Sequence, residues 1–468
     1  MEEIMDRSLL EINNSLTTVN LQSNALIREL SYKLSYPDKT AQFAYTRRTK
    51  KFKEFRVHLM KMTDDGNYVF PTGLLNIAKD FLAVKDVPVE IIDNRVPPTD
   101  SKYKYYRRFS EEPALRKYQD KCLANSRIYP RGIVEAATGT GKTRMMQEIT
   151  GDKGLPTLII VPSLNILKQT YNEFSSLYSP SKVGMVGGGK DQDQYPIIIA
   201  TFQSLLEKSL SFYKKFDMVL IDESHHAAAQ TIQQINEKFL DHVYYRYYFS
   251  ATPFRNDGAD LALEGVISND KILVYDFKKA CKDGYLTPPF FLIYKYDHNV
   301  TFEKKPDYRK EYKHLIAENE AYNDFIASVT ETMRKKDRQI LIFVKQISQG
   351  ELLREKIPRS VLLTGKEKIN DSEDILKAFE NKEFDVLIGT SVIGEGVNLK
   401  SVDCGIMAGA GKSKGDIIQK IGRLLRIHPN KKNVLVVDFT HGGSIFNRNH
   451  HITRKKVYEG YGTKIFTL

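Results

Sequence analysis

Three short stretches combine residue types and spacings suited to phosphate chemistry. Ala136-Ala137-Thr138-Gly139-Thr140-Gly141-Lys142-Thr143 lies where the strand-like Ile133-Val134-Glu135 gives way to the helix-like Arg144-Met145-Met146-Gln147-Glu148. Its glycines let the backbone from Thr138 to Gly141 wrap closely, so that N–H groups and the helix start face an anion. Lys142 can then reach terminal phosphates, and the Thr143 hydroxyl can ligate magnesium. Ala136 occupies the first position, where many such loops have glycine; the bland alternative is a glycine-rich helix entry. The second stretch, Asp217-Met218-Val219-Leu220-Ile221-Asp222-Glu223-Ser224-His225, ends a buried strand on two acids. Two ionised carboxylates there are costly without a cation and a reacting water, which assigns Asp222 to magnesium and Glu223 to general-base or water-positioning work. A solvated acid pair is the alternative for any isolated Asp-Glu, and His225 reads as a relay rather than a metal ligand.

The third stretch runs from Asp416 to Arg426. If helical throughout, at about 100° per residue, it puts Gln419, Arg423 and Arg426 on one face. Ile417, Ile418, Ile421, Leu424 and Leu425 take the other. Arginines on a packed helix suit the stabilisation of charge developing on a transferred γ-phosphate, and Gln419 can help order the attacking water. Standing alone, the pattern would read as an ordinary amphipathic helix. Gly409-Ala410-Gly411-Lys412-Ser413 imitates a second phosphate loop, but Ile406 stands where glycine or alanine is required, so it reads as a flexible basic loop.

These residues need a scaffold of alternating strands and helices. From about Glu111 to Asp283, strand-like runs ending in glycine or polar loops alternate with helical stretches, which implies a parallel α/β sheet. The segment from Ala280 to Pro289 breaks the pattern and reads as a linker. A second α/β run follows, with strands expected at Gln339 to Val344, Val386 to Gly389 and Val434 to Asp438. Before both, alternation at Phe55, Val57 and Leu59, a turn at Asp65-Gly66, a short strand from Tyr68 to Phe70, helical spacing from Leu74 to Leu82 and a strand from Val87 to Ile92 predict a small β-β-α-β module. A helical lead-in is expected from Leu21 to Leu34. The expected division is an α+β amino-terminal domain over 1–110, one lobe over 111–286 and a second over 287–468.

Composition narrows the class. The 468 residues are 41% hydrophobic and 27% charged, ordinary for a globular protein with room for several cores. Cys122, Cys281 and Cys404 are too far apart for a Cys-x-x-Cys pair, which argues against a zinc ribbon and a disulfide framework. The acidic start from Met1 to Asp6 is unlike a secretory signal, and no apolar run approaches the ~20 residues of a membrane span. A reducing, cytoplasmic setting is expected. Seventy lysines and arginines against 58 acids give a net charge of +12, which favours an anionic partner, nucleic acid above all.

In order along the chain, these motifs resemble those of a superfamily two DExH-box helicase. Leu115-Arg116-Lys117-Tyr118-Gln119 is similar to the adenine-reading Q-motif, the phosphate loop to motif I, Ile160-Val161-Pro162-Ser163 to motif Ia, Asp222 to His225 to motif II and Ser250-Ala251-Thr252-Pro253 to motif III. Ile340 to Phe343 resembles motif IV, Gly389-Thr390-Ser391 through Gly394-Glu395-Gly396-Val397-Asn398 motif V, and Gln419 to Arg426 motif VI. The resemblance covers about Leu115 to Asp438. It implies two tandem RecA-like lobes, ATP and Mg2+ as cofactors, and a monomer as the catalytic unit. By the same resemblance Arg116, Gln119, Gly396 and Asn398 join the phosphate loop around the nucleotide, Asn398 standing where many relatives carry aspartate. Pro162, Thr201, Gln203, Arg255 and Thr390 become strand contacts, while Ser250 and Thr252, with His225, couple hydrolysis to strand binding. Thr201 can equally cap the next helix. The tyrosines from Tyr244 to Tyr248 read as a buried strand.

The compact core and small leading module look most like the phage branch-migration helicases related to XPB. This implies DNA remodelling at forks, D-loops and Holliday junctions in recombination, repair or replication restart, in host cytoplasm if the gene is a phage's. In the module, Arg47, Arg48, Lys50, Lys51, Lys53 and Arg56, and later Lys102-Tyr103-Lys104-Tyr105-Tyr106-Arg107-Arg108, interleave basic and aromatic side chains suited to phosphates and bases. A solvated face and an interdomain tether fit the same residues. The motor residues alone also leave open an RNA helicase, a duplex translocase that does not unwind, and an ATP-switched clamp. Retention of Glu223, Arg423 and Arg426 argues against the clamp.

Overall fold

The computed structural model describes residues 8–49, 51–98, 114–223, 234–237, 239–251, 260–298, 307–365, 369–390, 399–409, 411–429, 431–442 and 444–468. It forms two units, the first of residues up to 136 together with 141–274, the second of 137–140 and 275–468.

The first unit begins with strands β1 (Ser8–Ile12), β2 (Leu16–Asn20), β3 (Ser35–Pro37), β4 (Arg56–His58), β5 (Lys61–Met62), β6 (Tyr68–Pro71) and β7 (Val89–Asp93). Five of them make one sheet in the order β5-β6-β2-β1-β7, with β1 and β7 parallel and the other pairs antiparallel. The sequence places an element start near Phe55 and none over residues 8–20, yet the β1-β2 hairpin is the middle of the sheet. Polar Thr17 conceals the pattern: it is buried, and its hydroxyl is 3.0 Å from that of Thr72, a pairing 55 residues distant. The strand expected around Phe55 to Leu59 shortens to β4, which pairs with β3 in a separate ribbon. The helices Asn24–Lys33 and Leu75–Val84 match their expected places, and Leu30, Leu75, Ala78 and Leu82 fill the module's core. A further helix, Lys39–Thr49, buries none of its side chains.

The same unit continues with β8 (Arg131–Ala136), β9 (Thr157–Val161), β10 (Val183–Gly187), β11 (Lys190–Asp191), β12 (Ile197–Thr201), β13 (Met218–Asp222), β14 (Tyr245–Ser250) and β15 (Lys271–Tyr275), in the order β11-β10-β12-β9-β13-β14-β8-β15. From β10 through β12, β9, β13 and β14 to β8 every pair is parallel. Such strands are buried on both faces, which explains apolar runs like Leu158 to Val161 and Ile197 to Ala200, all fully buried. Tyr247 and Tyr248 are fully buried in β14 as well.

Two buried arginines join the module to this sheet. Arg131 donates from Nη1 to the Asn14 carbonyl at 2.6 Å and from Nη2 to Asn14 Oδ1 at 2.8 Å. Arg246 donates from Nη2 to Ser15 Oγ at 2.9 Å. Backbones also approach closely, since a Cβ on Gly73 would lie 1.9 Å from the Glu264 carbonyl oxygen.

The second unit carries β16 (Pro289–Asp297), β17 (Ile340–Phe343), β18 (Ser360–Leu363), β19 (Val386–Gly389), β20 (Cys404–Ile406), β21 (Val434–Gly442) and β22 (Ile465–Thr467). They form one sheet, β18-β19-β17-β20-β21-β16-β22, with every pair parallel. The α/β expectation is met here as in the first sheet. The helix bearing Gln419 and Arg423 is Lys414–Leu424, capped by Ser413 from the glycine-rich decoy loop, and it buries Ile417, Ile421, Gly422 and Leu424. Arg426 lies beyond its end, so the expectation of one helical face for Gln419, Arg423 and Arg426 is corrected. The carboxyl cap at Leu425 breaks the periodicity one residue too early. No described helix is long and apolar enough to cross a membrane.

Candidate active site

Topology assembles the site. The phosphate loop follows β8, the acid pair ends β13 and Ser250 ends β14, and β13, β14 and β8 are parallel neighbours. Chemistry gathered at the carboxyl ends of adjacent parallel strands is the usual location for a site in such a sheet. Gly139 and Gly141 adopt φ of +85° and +82°, conformations glycine takes without a Cβ penalty. Gly141 is also the N-cap of the helix Lys142–Lys153 and supplies no side-chain cap, so the first-turn N–H groups stay available to an anion. A Cβ on Gly141 would sit 2.8 Å from Gln119 Nε2, so a side chain here would displace that amide as well as strain the backbone. Gln119 is itself fixed: its Oε1 accepts from the Arg116 N–H at 3.0 Å, and Arg116 Nη1 donates to Tyr118 Oη at 3.0 Å.

Lys142 and Glu223 form an ion pair at 2.7 Å, each side chain 11% exposed. Glu223 accepts further hydrogen bonds from Ser250 Oγ at 2.9 Å and from the Ala251 N–H at 3.2 Å. Its own N–H donates to the Phe249 carbonyl at 2.9 Å, while its φ of +44° is positive, uncommon for a residue with a Cβ. That turn carries the carboxylate back over the end of β14, and strain of this sort is typical of residues whose position is dictated by function. The free first-turn N–H groups suit an anion, and the Thr143 hydroxyl and the Asp222 carboxylate are of the oxygen-donor type that magnesium prefers.

The expected strand contacts divide. Thr201 is buried, and its hydroxyl caps the helix Phe202–Leu206 by accepting from the Ser204 N–H at 3.3 Å. Gln203 is exposed, Pro162 is half-buried at the end of β9 and Thr390 is buried directly after β19. In the second unit, Gln419 and Arg423 lie on the helix and Arg426 just past it. His225, Thr252, Arg255, Gly396 and Asn398 lie outside the described residues. Gly187, Gly188 and Gly189 are all at positive φ. A Cβ on Gly187 would be 2.9 Å from Ser204 Oγ and 3.5 Å from Thr201 Oγ1.

Comparison with known proteins identifies two domain families in the chain. Residues 112–255 match the family model described as "Type III restriction enzyme, res subunit", and residues 321–428 match "Helicase conserved C-terminal domain". The chain is 25% identical over 369 residues to the DNA 3'-5' translocase XPB2 of Sulfurisphaera tokodaii, covering 70% of this chain and 82% of that one. To the ATP-dependent DNA helicase uvsW of Enterobacteria phage T4 it is 24% identical over 366 residues, covering 74% and 72%. It spans 65% to 82% of the lengths of three such curated relatives. Among solved structures, a variant of S. cerevisiae Dbp5 bound to RNA and ADP BeF3 superposes with a TM-score of 0.55 at 16% identity, over 75% of this chain and 89% of that one. That likeness concerns the fold.

Proposed function

The chain belongs to superfamily two of the helicases, which are nucleic-acid-dependent ATPases, and from that premise we propose that it is a DNA motor that remodels branched DNA. The observation that carries the reading furthest is a basic and aromatic surface on a module built into the ATP-binding unit. On the unburied helix Lys39–Thr49 and the chain after it, Phe43 is 70% exposed and Phe52 75%, among Arg47, Arg48, Lys51 and Lys53. Arg56 lies 4.2 Å over the Tyr32 ring. Exposed rings among cations match a polyphosphate with stacked bases, and the module grips duplex beside the junction. The relatives named as DNA translocase and DNA helicase support DNA over RNA.

In this reading the backbone from Thr138 to Gly141, with Lys142, holds the phosphates, and Arg116 and Gln119 hold the base. Thr143 and Asp222 would hold Mg2+, whose chemistry is to neutralise phosphate charge as the bond breaks. Glu223 orients and deprotonates the attacking water once Lys142 turns from it to phosphate; Ser250 keeps the carboxylate in place during that exchange. Arg423 and Arg426 compensate charge developing on the γ-phosphate, and Gln419 helps order the attacking water. By the same resemblance Pro162, Gln203 and Thr390 serve the strand.

ATP turnover by wild type and Lys142→Ala tests this, without polymer and with single-stranded DNA, duplex DNA, a four-way junction and structured RNA. Turnover raised most by the junction and lost in Lys142→Ala is expected. Stimulation by RNA alone moves the motor to another polymer, and none with any polymer leaves an ATP-switched clamp.

A further inference from the structure

A buried lysine behind the motif VI helix has no part in the site described above. Lys431 is 8% exposed, and its Nζ donates to the Arg426 carbonyl at 2.9 Å and to the Lys400 carbonyl at 3.2 Å. Arg426 is the last residue of motif VI, so one ammonium ties its backbone to that of Lys400. The Lys431 N–H donates to the His428 carbonyl at 2.9 Å, closing a turn.

The helix Lys414–Leu424 ends just before Arg426, where the last carbonyls lack intrahelical partners and the helix dipole is negative. Two donors hold this end. The Thr287 N–H donates to the Leu425 carbonyl at 2.8 Å, and Lys431 takes the next carbonyl. Because Arg426 is outside the helix, periodic hydrogen bonding does not fix its backbone, and these contacts do. We propose that Lys431 is a positioning residue for ATP hydrolysis, holding the backbone of Arg426 where the guanidinium meets the developing charge. The proposal rests on Arg426 being a charge-compensating group.

The groups around the ammonium are Asp403 at the start of β20, Glu380 at the end of the helix Ile369–Glu380, and Arg426 itself; Arg338 pairs with Asp403 at 3.5 Å. Burial pulls Lys431 down to about 8, against the pull of Asp403 and Glu380. Its charge-assisted hydrogen bonds therefore weaken within an accessible pH range.

The test measures polymer-stimulated turnover in Lys431→Met, Lys431→Arg, Arg426→Ala and Lys431→Met/Arg426→Ala. Lys431→Met is expected to lower kcat about tenfold or more with the KM for ATP within about threefold, the pattern for losing an interaction used in the transition state. In the Arg426→Ala background the same change should cost less than about twofold, since groups acting as a unit are not additive. Multiplicative losses, or Lys431→Met within about twofold of wild type, overturn the proposal. Should Lys431→Met fail to fold, the pH profile decides. Wild-type kcat should decline as pH rises through about 8, and Lys431→Arg, which cannot lose its proton, should not. A shared decline, or none in wild type, overturns it. Full activity of Arg426→Ala alone would instead remove the assignment of Arg426 in the motor.

Discussion

Ser15→Ala probes how the module is bound into the ATP-binding unit. Arg246 is fully buried, and each of its five N–H groups is taken: Nε by the Val243 carbonyl at 3.1 Å, Nη1 by the Val266 carbonyl at 3.0 Å and by Asn236 Oδ1, Nη2 by Ser15 Oγ at 2.9 Å and by the Leu240 carbonyl. Among the described residues no carboxylate bonds to it, and burial draws the guanidinium down to about 9. Full hydrogen bonding is therefore what keeps a charge inside. Ser15 Oγ also donates to the Asn236 carbonyl at 2.9 Å. Alanine removes both bonds and strands one charged N–H in a buried site, which costs about 2–3 kcal/mol. For a unit of this size that lowers the melting temperature by about 4–10 °C. Calorimetry with near-ultraviolet dichroism reads the shift and shows whether module and lobe still melt together. A change below about 1 °C would refute the argument that a module hydroxyl caps this arginine.

Gly141→Ala should raise the KM for ATP about tenfold or more, because its φ of +82° is strained for alanine and the new methyl meets Gln119 Nε2; nucleotide titration checks this. Ser250→Ala removes a charge-assisted bond to Glu223 and should lower kcat about tenfold at nearly constant KM; an unchanged kcat in steady-state turnover would sink the positioning role. Phe43→Ala and Arg47→Glu should weaken junction binding without lowering polymer-free turnover, and Arg47→Glu should reduce the salt dependence by about one phosphate contact, read from binding isotherms at several salt concentrations. His298 and His441 stack in the second unit with Nε2 and Nδ1 3.0 Å apart, and burial lowers both, His298 to about 4. An unfolded imidazole binds a proton at higher pH than these do, so stability complete above about 6.5 should be lost as pH falls toward 4, by about 3 kcal/mol from His298. A denaturant midpoint flat between pH 7 and 4.5 would contradict this.

The candidate site's loop and acid pair were legible because each depends on local chemistry. A glycine loop between strand and helix, or an acid pair ending an apolar strand, is complete within ten residues, and the parallel sheet then places Lys142, Glu223 and Ser250 side by side. What the sequence concealed is held over distance. Thr17 looks like a surface residue until Thr72 pairs with it, and Lys431 looks like one more basic loop residue until the carbonyls of Lys400 and Arg426 enclose it. The helical spacing from Gln419 to Arg426 persists in the residue pattern after the backbone helix has stopped at Leu424.

The same long-range capping decides how the module's role can be tested. Removing the amino-terminal region would take away Asn14 and Ser15, and with them the caps of Arg131 and Arg246, whose guanidinium groups lie in the sheet that carries the phosphate loop. Each charged N–H stranded without its partner costs about 2–3 kcal/mol, and losing these caps together is a sizeable part of a domain's stability. Lost activity in such a truncation would therefore report a damaged ATP-binding unit and say nothing about DNA. Substitutions on the unburied helix Lys39–Thr49 leave both arginines capped, so a loss of junction affinity there is attributable to the surface itself.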